Sequence, residues 1–314
     1  MKVALVAFGG NAILKANEQG LQEEQLRNAE DACRHLVEVI RQGYEMVIVH
    51  GNGPQVGNIW IQMHEAATKV PPFSLDVCGA MSEGSMGYML QRSLLNQLHL
   101  RGIKKGVVTL ITQVVVDPDD PLFHKPTKPI GPFYPLYLAE WFRRERGWHM
   151  VEDSGRGWRK VVPSPRPIQV VEEAVIRRLL EIGSVVIAAG GGGIPVYLTK
   201  DEHLKGIEAV IDKDRTSSLL ARSIKAKLFI ILTQVPQVYL HYGTPQQEPL
   251  RELSVEQARE YLRQGEFPPG SMGPKIESAI EFIEAQGGEV LITSVEELRD
   301  ALRGEGGTRI FKGG

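Results

Sequence analysis

Short runs that are apolar at every position alternate along this chain with longer stretches whose apolar residues recur at helical spacing. VVIAA at 185–189 and LFIIL at 228–232 are hydrophobic on both faces. Strands of that kind are stable inside a sheet that helices cover on both sides. The alternation therefore predicts an α/β fold, a three-layer αβα sandwich around a mainly parallel sheet. Further strands are expected over 2–8, 45–50 and 107–111, and helices over 21–42, 56–68, 85–100, 170–181, 216–224 and 276–286. Ser254 with Gln257 and Ser294 with Glu297 have capping-box spacing, which predicts a helix start at each serine.

The rhythm breaks between Asp117 and Pro167, a proline-rich stretch containing GPF, SGRGW and PSPRP. It is too long for a plain connection. A small protruding subdomain is expected over about 118–166, with its own hairpin from WHMVEDSG and GWRKVVP.

A chain of 314 residues, 42% hydrophobic and 24% charged, can bury a core large enough to hold a cleft. A formal net charge of −2 offers no field for nucleic acid or an anionic membrane, and neither is expected as a partner. No apolar run approaches the ~20 residues of a membrane span. The opening MKVALVAFGGNA reads as a first buried strand and not as a leader. Two cysteines, Cys33 and Cys78, with no CxxC pair fit a reducing cytoplasm.

Three of the expected strands run into glycine, at Gly9-Gly10-Asn11, at Gly51-Asn52-Gly53 and at 190–193. Open parallel sheets bind ligands at the carboxyl ends of their strands. Glycine there lets backbone N–H groups approach an anion, and a following helix N-terminus adds partial positive charge. One such cluster is as readily a tight turn; three on one edge favour phosphate. No GxxxxGK[ST] is present, and Gly51, Gly53 and Gly57 miss the dinucleotide spacing by one residue. No HExxH or paired metal-ligand spacing occurs, so no protein metal site is expected. His50, beside a glycine loop, reads as a hydrogen-bonded structural histidine.

Three lysines stand in unusual settings. Lys128 lies between prolines in PTKPIGPF, Lys213 between Asp212 and Asp214 in AVIDKD, and Lys275 behind two glycines in GSMGPK. Any one alone would be a surface charge. Together they suit phosphoryl transfer, whose loose transition state asks mainly for positioned cations. Lys213 is expected directly after a strand, the AVI run, with both aspartates keeping that lysine protonated and aimed.

GGNA at 9–12, HGNGPQVG at 50–57, PTKPIGPF at 126–133 and EDSGRGWRKVVPSP at 152–165 resemble the carbamate kinases. So do AAGGGGIP at 188–195, EAVIDKD at 208–214 and GSMGPK at 270–275. The resemblance runs over nearly the whole chain. It implies reversible transfer of the γ-phosphate of MgATP to carbamate, giving ADP and carbamoyl phosphate, with Mg2+ carried by the nucleotide. It also implies a single amino-acid kinase domain over 1–314, a sheet of about eight strands and a homodimer. A carbamate lobe would span about 1–205 and a nucleotide lobe about 206–314.

Carried over by residue, Gly9, Gly10, Asn11, Gly51, Asn52 and Gly53 would line the carbamate and phosphoryl end. Lys128 would reach in from the subdomain, Lys213 and Lys275 would touch the ATP phosphates, and Asp212 would organise the lysines. Leu232, Tyr242, Gly243, Met272 and Gly273 would lie along the nucleotide. Gln234 stands where superfamily members often carry aspartate, which bears on adenine-side contacts. Asp153, Arg156, Arg159 and Lys160 read as braces of the subdomain hairpin. Two rival readings are a kinase for another small carboxylate, such as acetylglutamate, and a catalytically silent nucleotide sensor.

Overall fold

The structure, a computed structural model, describes every residue except 10–12, 15–17, 154, 269–270 and 314. Its centre is an eight-stranded sheet. The strands are β1 (Val3–Phe8), β2 (Glu45–His50), β3 (Val107–Thr109), β9 (Val185–Ile187), β12 (Leu228–Thr233), β15 (Glu252–Ser254), β16 (Glu289–Ser294) and β17 (Thr308–Phe311). Their spatial order is β15-β17-β16-β12-β1-β2-β9-β3, parallel throughout except where β17 meets β16.

The all-apolar strands split their side chains between two cores, as the pleat requires. From β1, Val3, Leu5 and Ala7 enter one core, with Leu220 of α6 (Lys213–Ser223) and Ile276 of α8 (Met272–Gln286). That core also takes residues of α5 (Glu173–Glu181) and α7 (Val255–Arg263). Ala4, Val6 and Phe8 enter the other, with residues of α1 (Gln22–Arg41), α3 (Leu75–Leu100) and α9 (Leu298–Leu302). Truncating such a side chain to alanine costs ~2–5 kcal/mol, so burial on both faces is what holds the middle of the sheet.

Among the described residues there are three smaller sheets. A mixed sheet runs β11-β10-β4-β8, from β4 (Gln113–Val116), β8 (Pro167–Val170), β10 (Ile194–Leu198) and β11 (Leu204–Gly206). β13 (Val238–Leu240) pairs with β14 (Glu248–Leu250). The antiparallel sheet β5-β7-β6 comprises β5 (Lys128–Tyr134), β6 (Met150–Glu152) and β7 (Trp158–Val162), with α4 (Leu136–Arg146) beside it. The expected hairpin is β6–β7. A third apolar cluster, with Val56, Trp60, Cys78, Ile130 and Val162, joins this sheet to α2 (Gly53–Glu65) and α3. Among the described residues no helix is long and apolar enough to cross a membrane.

Several expected boundaries move. α3 begins at Leu75, not at residue 85, because its first turns bury Ser82 and Glu83 where an apolar period would be sought. α2 begins at Gly53, with proline in its first turn, where a missing N–H costs nothing. Val170 closes β8, and α5 starts only at Glu173. The capping box at Ser254 forms in full. At Ser294 the hydroxyl accepts the Glu297 N–H, yet the helix waits until Leu298, since β16 holds Ser294 as its last residue.

Candidate active site

Register sets Phe8 level with His50 on one side and with Leu232 on the other. The chain beyond these residues lies at the carboxyl edge of the sheet. Gly9 directly follows β1, while Gly10 and Asn11 fall outside the described residues. Gly51 N–H donates to Phe8 O at 2.8 Å, and buried Asn52 donates from Nδ2 to Ser82 Oγ at 2.8 Å. The 190–193 loop presses on this corner. A Cβ on Gly191 would lie 2.1 Å from Asn52 Nδ2, and one on Gly190 2.4 Å from His50 Nε2. Only glycine fits, so the third cluster exists for close backbone approach. His50 donates from Nδ1 to Gly51 O at 3.2 Å, and burial pushes its pKa down to about 4, leaving it neutral. It is structural, as expected.

The three lysines converge. Lys128, at the start of β5, donates to Asp212 Oδ2 at 2.6 Å. Lys213 donates to Asp214 Oδ1 at 2.5 Å, and Lys275 to Asp214 Oδ2 at 3.2 Å. Asp212 turns its other oxygen to the start of α6, accepting the Asp214 N–H at 2.9 Å as the helix N-cap. Two expectations change here. The AVI run is not a strand, because 209–211 enters α6 from an irregular segment. Both aspartates favour the charged form of Lys213, as expected, but only Asp214 binds it directly, whereas Asp212 takes Lys128. Asp214 was expected beside Lys213; that it also takes Lys275 is a contact the sequence did not carry.

Burial raises both carboxyls, but Lys128 beside Asp212 and Lys213 beside Asp214 carry each below the usual carboxylate range. Burial lowers Lys213, with Asp214 pulling it back; burial lowers Lys275 too, but Asp214 and Asp212 together outweigh it and raise the pKa. Three cations against two anions leave one excess positive charge in a largely buried place. Lys213 is the first residue of α6, and Lys275 lies in the first turns of α8. Both positions add helix-dipole positive potential, which makes a cation costly and a polyanion welcome.

The other end is a cleft of ≈ 450 Å³ lined by His241, Tyr242, Thr244, Gln246, Gly265, Glu266 and Pro268. That volume is in the range of small-molecule sites. Pro268 O accepts the Gly273 N–H at 2.9 Å, which ties the cleft wall to the turn of α8 that carries Met272 and Lys275. Gly243 follows Tyr242 with φ +79°. Leu232 is buried in the core instead of lining the cleft. Asp153 pairs with Arg159 at 3.1 Å and Arg156 at 3.5 Å, and Arg159 Nε donates to Gly131 O, so these residues brace the small sheet. Among the described residues no group of three or more His, Cys, Asp or Glu side chains is gathered as metal ligands.

A sequence model of the amino acid kinase family matches residues 2–294. The carbamate kinase of Pyrococcus furiosus is 48% identical, over 99% of this chain and 99% of that one. The structure of carbamate kinase from Giardia lamblia bound to citric acid superposes with a TM-score of 0.95 at 40% identity, covering 99% of each chain. The same organism's carbamate kinase bound to AMP-PNP gives a TM-score of 0.90 at 42% identity, again over 99% of each.

Proposed function

The chain belongs to the amino acid kinase family, in its carbamate kinase branch, and we propose that it moves the γ-phosphoryl group of MgATP reversibly onto carbamate through its three converging lysines. A carbamate oxygen attacks the γ-phosphorus, the bond from phosphorus to the β–γ bridging oxygen breaks, and ADP leaves with that electron pair. No proton need move. Gly9, Gly10, Asn11 and the 51–53 loop hold the carbamate and the phosphoryl group in flight. Lys128, next to Pro129, whose carbonyl lies against Gly53, neutralises the transferring oxygens from the carbamate side. Lys213 and Lys275 neutralise the nucleotide phosphates, and Asp212 and Asp214 keep the three ammonium groups apart and aimed.

The observation that carries this reading is the single excess positive charge built from three segments, set at two helix N-termini. Tyr242, Gly243, Met272 and Gly273 lie along the nucleotide, with the cleft beside Tyr242 for the base. Leu232 supports that side from the core. Transfer from ATP calls for a divalent cation, and here Mg2+ arrives on the nucleotide as part of the substrate. The lobe up to about residue 205 handles carbamate, the lobe beyond it the nucleotide, and the enzyme works in the cytoplasm.

The test is coupled ADP release with carbamate against acetylglutamate. Turnover with carbamate alone is expected; equal turnover would favour a broader carboxylate kinase, and none with either a silent sensor. A homodimer is part of the same reading. Exposed Val77, Met81, Tyr88 and Leu95 share one stripe of α3, a face suited to a second copy. Light scattering checks it, and a monomer at micromolar concentration would remove that part.

A further inference from the structure

The small sheet reaches the cleft while leaning on α2. In antiparallel register, Lys128 faces Val162 and Ile130 faces Lys160, so all four side chains stand on one face. Lys128 ends on Asp212, and Ile130 and Val162 pack in the cluster with Val56 and Trp60. Lys160 Nζ sits 3.2 Å from the centroid of the Trp60 ring and 4.8 Å from that of Trp148. Trp60 is itself fixed, against His64 at 3.6 Å and edge-on to Trp148 at 5.2 Å. Beside it the backbones of Gly57 and Gly131 touch: a Cβ on Gly57 would lie 2.0 Å from Gly131 N. The seam has no slack at the glycine pair, and two cations cross it, Lys160 on the Trp60 ring and Arg146 on Glu65 at 2.9 Å.

We propose that Lys160, seated on the Trp60 ring, is a positioning residue that keeps Lys128 in place for phosphoryl transfer. This rests on the role given to Lys128 above. Lys160 and Lys128 are on paired strands with their side chains on the same face, so loosening the first lets the second drift from Asp212. A desolvated cation over an indole is worth a ~30-fold shift in population, and kcat carries that shift directly.

Lys160→Met keeps the apolar stem and removes the charge, while Lys160→Arg returns a cation that stacks on the ring. Both are assayed for kcat and calorimetric ADP affinity, alone and with Lys128→Ala. Lys160→Met should lower kcat ~5- to 30-fold with ADP affinity unchanged, and arginine should restore most of the loss. On top of Lys128→Ala, Lys160→Met should have no further effect, because it acts through that lysine. Trp60→Phe, which shrinks the ring and leaves the lysine, should give a smaller loss with the same coupling. Additive losses in the double variant, or a wild-type kcat in Lys160→Met, overturn the inference. A wild-type kcat in Lys128→Ala overturns the reading of Lys128 instead.

Discussion

Lys128 and Asp212 stand 84 residues apart in the chain, yet the lysine Nζ donates to Asp212 Oδ2 across 2.6 Å. The same carboxylate caps α6 with its other oxygen. One side chain thus fixes the direction of a lysine from the small sheet and the start of the helix that carries Lys213.

Asp212→Asn separates those two tasks. Asparagine caps a helix as well as aspartate does, so the melting temperature should change little. The charge facing Lys128 is lost, and a charge-assisted hydrogen bond weakens to a neutral one. A fall in kcat of ~10- to 100-fold is expected. Steady-state kinetics beside a thermal melt read both. An unchanged kcat would show that Asp212 serves the helix alone.

Lys213→Ala should lower kcat by roughly 10²–10³, the scale of removing one charge-stabilising donor from a buried site. Folding should survive, because Asp214 keeps Lys275 as its partner. Circular dichroism confirms the fold, and near wild-type turnover in a folded variant would sink the role.

Lys128→Ala and Lys275→Ala should differ in the ground state. In the proposed reading Lys275 meets phosphates that ADP already carries, so its loss should weaken ADP binding as well as turnover. In the same reading Lys128 serves the carbamate side, so its loss should cut kcat and spare ADP affinity. Calorimetric ADP titration of both variants tests the split. Equal weakening would move Lys128 into the nucleotide site.

His50 makes stability depend on pH. Its pKa falls from the ordinary 6.5 to about 4 through burial, so the unfolded chain takes up a proton that the folded one refuses. The contribution of neutral His50 is complete above pH 6.5 and lost as pH falls toward 4, by roughly 3 kcal/mol in all. Urea unfolding at pH 7 and pH 4.5 should show a larger drop for the wild type than for His50→Gln. Parallel drops would mean that the imidazole is charged in the fold.

The layered sheet was readable because its cause is local. A run such as VALVAF has no polar face to offer water, so each position must go into one core or the other. The glycine-ended strands and the proline-rich insertion were readable for the same reason, since backbone conformation is encoded residue by residue. Periodicity failed where the buried face is polar, as at Ser82 and Glu83 in the first turns of α3.

The sequence by itself determined that three lysines stand in guarded settings, and tertiary structure decided which carboxylate each one meets. Asp212 and Asp214 flank Lys213 equally in the chain, and nothing local distinguishes them. Once α6 begins at Lys213, Asp212 is spent on capping and turns outward to Lys128, while Asp214 points inward between Lys213 and Lys275, a residue 61 positions away. That assignment follows from helix geometry and from where the small sheet and α8 come to rest. These are contacts between distant segments, which no local pattern of residues carries.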